Sequence, residues 1–115
     1  MKPMRSTLLL TSLFGSLVVF AAPLKESKPG LLARANVKPA AAEKTATARV
    51  HGKIVSEELE EEHALLVYSF DIRVPKHAGI EEVQVNAMTG AIVSVEHEDA
   101  AAEAKEAKAE AKKSP

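Results

Sequence analysis

"VQVNAMTGAIVSVEHE", Val83 to Glu98, is the stretch on which the fold turns. Val83, Val85 and Ala87 alternate with Gln84 and Asn86, and past Gly90 the series Ala91, Val93, Val95 alternates with Ser94 and Glu96. Two period-2 runs joined by a short loop that ends in glycine predict a β-hairpin, with the glycine in a left-handed conformation. Asn86 is expected to cap the turn through its side-chain oxygen, Thr89 to add a hydroxyl bond, and Gly90 to supply the positive φ. The polar residues therefore build a turn and need no catalytic role. Val83, Val85, Val93 and Val95 are assigned to the buried face.

Upstream lies "LLVYSFDIRV", Leu65 to Val74. Leu66, Tyr68, Phe70, Ile72 and Val74 share one face, and Val67, Ser69, Asp71 and Arg73 share the other. Tyr68 and Phe70 are the two aromatics available to a core. "IEEVQVNA", Ile80 to Ala87, sets Val83 and Val85 against Glu82, Gln84 and Asn86. "KIVSEELEEE", Lys53 to Glu62, alternates weakly, with Val55 and Leu59 spaced for a common face. Its acidic run Glu57–Glu62 is expected to be a solvated strand end whose charges discourage edge pairing.

Before these strands, "KPAAAEKTATARV" puts Pro39 in a first helical turn, with Ala42, Ala46 and Val50 at i, i+4 and i+8. Small residues in one stripe let a helix lie close on a sheet. The expected fold is α+β: one helix packed on a four-stranded antiparallel meander. This ordered region spans residues 37–98.

The flanks read differently. Residues 1–21 carry Lys2 and Arg5, an uncharged apolar run from Leu8 to Phe20, and small residues Val19 and Ala21 at a cut site. That pattern predicts a secretory signal peptide, since the run is shorter than the roughly 20 residues of a spanning helix. Residues 22–36, with Pro23, Pro29, Gly30, Lys25, Lys28 and Ser27, are expected to be a linker. Residues 99–115 form an Ala/Glu/Lys-rich tail. Asp99, Glu103, Glu106 and Glu110 would fall on one side of a helix and Lys105, Lys108 and Lys112 on the other. Like charges at i, i+4 weaken such a helix, so a solubilising tail is expected.

Composition excludes several classes of function. The chain of 115 residues has a formal net charge of -1, and the predicted cleavage would leave it more acidic. No nucleic-acid partner is expected, because phosphate binding needs clustered Lys and Arg. The chain has no cysteine, hence no disulfide and no lipid-bearing Cys after the signal. His51, His63, His77 and His97 are separated, and no HExxH occurs, so no metal site is expected. Ser56, Ser69 and Ser94 lack a nucleophile elbow. No cofactor and no catalytic residue is predicted; the chain reads as a non-enzyme.

"AAAEKTA", "HGKIVSEELEEE", "LLVYSFDIRV" and "EEVQVNAMTGAIVSVEHE", in that order, resemble a PepSY domain. Tyr68 stands at the family's tyrosine. Asn86-Ala87-Met88-Thr89-Gly90 stands at its Asp-Ala-x-Thr-Gly turn, with Asn in place of Asp. The resemblance implies a small non-enzymatic module, exported to the periplasm or beyond the cell, that binds a protein partner and inhibits or regulates a secreted peptidase. The face Val67, Ser69, Asp71, Arg73, Glu82 and Gln84, with Ile92 and Ser94, mixes apolar and charged groups as a docking surface would. An ordinary solvated sheet face is the competing reading. The alternative function is a structural or sensory envelope protein, in which the tail or the sheet face binds a ligand or polymer.

Overall fold

The computed structural model describes residues 22–99. The expected signal peptide and the tail beyond Asp99 lie outside the described residues. The elements run β1 (Leu24–Glu26), α1 (Leu31–Arg34), α2 (Pro39–Arg49), β2 (Lys53–Glu62), β3 (Leu65–Arg73), β4 (Ile80–Asn86) and β5 (Ile92–Glu98). The class is α+β. The sheet has five strands in the order β1-β2-β3-β4-β5. β2 to β5 form the antiparallel meander, whereas β1 pairs parallel to β2, so the sheet is mixed.

This corrects the four-stranded expectation, and the source is the stretch read as a linker. Leu24 pairs with Glu57 and Glu26 with Leu59, and Ser27 N–H donates to the Leu59 carbonyl at 3.0 Å. Gly30, at φ 88°, turns the chain into the single turn of α1, which buries Leu31. Three paired residues are too few for periodicity to announce a strand.

Helix α2 starts on Pro39 with no side-chain cap at Lys38. Proline at the first position lacks only an N–H that would have no helical partner, and its φ suits the helix. Ala42 and Ala46 are both fully buried. With no bulk on that stripe, the helix axis comes close to the sheet, where Leu59, Leu66, Tyr68, Phe70, Ile72, Val83, Val85 and Ala87 complete the core. Tyr68 and Phe70 stack with ring centroids 6.1 Å apart. The Tyr68 hydroxyl donates to the Val37 carbonyl at 2.5 Å, which ties the start of α2 to the middle of the sheet. Burial pushes the Tyr68 phenol above its ordinary pKa.

Two bulges alter the faces expected from strict alternation. In β2 the register shifts between Ile54 and Ser56. Ile54 therefore packs on the core and Val55 is exposed, while Glu57, in step with Leu59, lies on the covered face. In β5, Gln84 pairs with Ser94 and Val85 with Ile92, which leaves Val93 as the extra residue. Val93, expected in the core, is 41% exposed, while Val95 opposite Val83 packs against the core. An unpaired bulge residue breaks the period-2 count on which the assignment rested.

Candidate functional site

The helix covers one face of the sheet and leaves the other to side chains alone. Register fixes what meets there. One rung runs Glu58–Ser69–Gln84–Ser94 and the next Ser56–Asp71–Glu82–Glu96. A third places Glu60, Val67 and Asn86 side by side.

The first rung is bound internally. Ser69 Oγ donates to Glu60 Oε1 at 2.7 Å, and Gln84 Nε2 donates to Glu62 Oε2 at 2.6 Å and to Ser69 Oγ at 3.2 Å. Ser94 Oγ donates to Gln84 Oε1 at 3.0 Å. Ser69, Gln84 and Val67 are buried, the last at 1% exposure, although all three point away from α2. Long acidic side chains on the neighbouring strand hold this centre as a closed polar plate. The second rung is electrostatically loaded. Ser56 Oγ donates to Asp71 Oδ2 at 2.8 Å, which leaves Asp71, Glu82 and Glu96 aligned across three strands. Burial, then the charges of Asp71, Glu98, Glu60 and Glu96, raise Glu82 to about 7. Arg73 stands exposed at the end of β3, opposite Lys53; Ile92, expected on this face, is brought opposite Val85 by the bulge and so belongs to the helix-covered side, exposed at the sheet's edge.

The turn residues lie at one end of this face. Asn86 Oδ1 accepts from Met88 N–H at 2.8 Å and Thr89 N–H at 3.1 Å. Thr89 Oγ1 accepts from Ala91 N–H at 3.3 Å, and Gly90 has φ +81°. Val37 N–H and Asn36 N–H both donate to the Ala87 carbonyl, at 2.9 and 3.0 Å, so the turn also anchors the entry to α2. These groups are engaged with backbone, which leaves the loop little to offer a substrate.

One acidic residue escaped the sequence reading. Glu57, expected on a solvated strand end, is 4% exposed on the helix-covered face beside Glu43 of α2. It is two residues from Leu59 and faces inward with it by ordinary alternation; the run of glutamates around it is what made it read as solvated. Elsewhere Arg34 pairs with Glu61, and His97 Nδ1 lies 2.6 Å from Glu81 Oε1. The guanidinium beside Glu61 holds that carboxyl below the ordinary value. Among the described residues no three His, Asp or Glu are grouped to hold a metal ion, and no helix is long and apolar enough to cross a membrane.

A family model described as "Peptidase propeptide and YPEB domain", PepSY, matches residues 37–96, more than half the chain. The matched span runs from the Tyr68-anchored start of α2 to β5 and so covers the helix and the meander, but not β1 and α1. No curated protein and no solved structure matches.

Proposed function

We propose that this chain, which belongs to the PepSY family, is a non-enzymatic, exported protein-binding module that docks on a peptidase and restrains it through the open face of its sheet. The family's description ties the domain to peptidase propeptides, and that is the observation that carries the reading. The face supports it physically. The closed plate of Ser69, Gln84 and Ser94 is pre-ordered, so association orders few side chains there. The neighbouring carboxylates Asp71, Glu82 and Glu96 supply charge that selects a partner and speeds encounter. No group of nucleophile and base competes with this reading in the sequence.

The test is inhibition. Added to peptidases secreted by the same cells, the purified chain should slow at least one. A variant carrying Asp71→Lys and Glu82→Lys should keep its fold, because it relieves a row of like charges, and should lose most of the inhibition. If no peptidase is slowed and none is captured, the peptidase reading falls. If the double variant inhibits as well as the parent, the peptidase contact lies elsewhere on the molecule.

A further inference from the structure

The helix-covered face contains one group that a core does not ordinarily hold. Glu57 sits opposite Phe70 on β3 and beside Leu24 on β1, 4% exposed, and its Oε1 is buried with no hydrogen-bond partner. Glu43 of α2 stands beside it, and the hydrogen bonding and the charge of that carboxyl both favour a protonated Glu57. Two carboxylates share a hydrogen bond only when one of them holds a proton. An ionised Glu57 would be a buried charge facing another negative charge.

Among the described residues no cation neutralises it. From α2, Lys44 and Arg49 are exposed while Glu43 leans on Glu57. On β1 the residue beside it is Leu24, and Lys25 is paired in register with Glu58 instead. On β3 the neighbours are Phe70 and the phenol of Tyr68, which is committed to the Val37 carbonyl. Thr47 Oγ1, one turn along from Glu43, donates back to the Glu43 carbonyl.

We propose that the seat of helix α2 on the sheet is held by a proton shared between Glu43 and Glu57, so that this joint loosens as the pH rises through neutral. Burial, and then the hydrogen bond and charge of Glu43, raise Glu57 from 4.5 to about 8. The folded-state value therefore lies above that of the unfolded chain, and folding takes up a proton between the two. The stabilisation is complete below the unfolded value and is lost as the pH rises toward the folded one. Across that window the folded-to-unfolded ratio falls by up to about tenfold per pH unit. Ordinary carboxylates, lowered by their partners, give the opposite slope. Glu82 acts in the same direction from the other face, so global stability alone does not identify the joint.

The experiment uses the full chain. Carbon-13 NMR follows the Glu43 and Glu57 carboxyl carbons with pH, and amide-exchange protection along Pro39–Arg49 is measured at about pH 5.5 and about pH 8.5. The Glu57 carboxyl is expected to titrate above about pH 6.5, and α2 protection to fall at least about tenfold between the two conditions. Glu57→Gln should flatten that fall, whereas Glu82→Gln should leave it in place. A Glu57 carboxyl that titrates below about pH 5.5, or a Glu57→Gln variant with the parent's loss of α2 protection, overturns the proposal. Should Glu57→Gln fail to fold, the parent's carboxyl titration decides alone.

Discussion

The two tight hairpin turns of the meander solve one backbone problem with different residues. Between β4 and β5, Gly90 takes the left-handed φ and Asn86 bonds the loop from inside. Between β2 and β3, Glu62 pairs with Leu65, so the loop is only His63 and Ala64, with φ of 49° and 66°. Two consecutive positive φ values match the twist of the strands, and such positions ordinarily carry Asn and Gly. Histidine tolerates the left-handed region better than most side chains. Alanine does not, and a non-glycine residue there costs about 1–2 kcal/mol. One turn is therefore relaxed and the other strained, and the pairing of β2 with β3 supports the strained one.

Three substitutions break or sharpen that contrast. Gly90→Val brings a β-branched residue to φ +81°. It is expected to cost about 1–3 kcal/mol, a large share of the stability of a small domain, seen as a lower urea midpoint with unchanged m. The added Cβ would lie 3.6 Å from Val37 Cγ2, ordinary contact, so the loss should come from the backbone conformation. An undiminished midpoint would mean that the turn can adopt another form. Asn86→Ala removes an acceptor that serves two N–H groups and is expected to cost about 0.5–1.5 kcal/mol. If that variant kept its melting temperature but lost partner binding, the loop would be a recognition element rather than a scaffold. Ala64→Gly acts on the strained turn and should have the smallest effect, with the opposite sign. Relief of the left-handed cost exceeds glycine's extra entropy in the unfolded chain, for a gain of about 0.5–1 kcal/mol in the same titration. A loss there would erase the distinction between the turns.

The same contrast explains what was legible beforehand. The turn at Gly90 was readable because Asn and Gly sit where the chemistry requires them, and β3 because five apolar residues keep strict alternation from Leu66 to Val74. The turn at His63–Ala64 carries no such residues, so its place follows from the strand ends at Glu62 and Leu65 while its left-handed conformation does not, and the acidic run before it hid the inward side of Glu57. The bulges at Val55 and Val93 defeat alternation because an extra residue flips every later assignment on its strand. β1 and α1 fall in a stretch punctuated by Pro23, Pro29 and Gly30 that reads as a linker, and a strand of three residues is too short to show a period. On the candidate face, the residue types were visible but their rungs were not. That Gln84 touches both Glu62 and Ser69 depends on registers set by turns and bulges together.

The parallel strand at the sheet's edge has a kinetic consequence. Each hairpin of the meander joins neighbours in the chain, whereas Leu24 meets Glu57 across more than a quarter of the sequence. Closing so long a loop for three paired residues comes late on the route to the native state, after the local contacts have formed. Interactions made after the rate-limiting barrier scarcely change how fast a chain folds, but they set how fast it comes apart. β1 is thus a latch: weakening it, for example at the Ser27 amide bonded to Leu59, would shorten the lifetime of the folded molecule while the refolding arm of its chevron stayed in place.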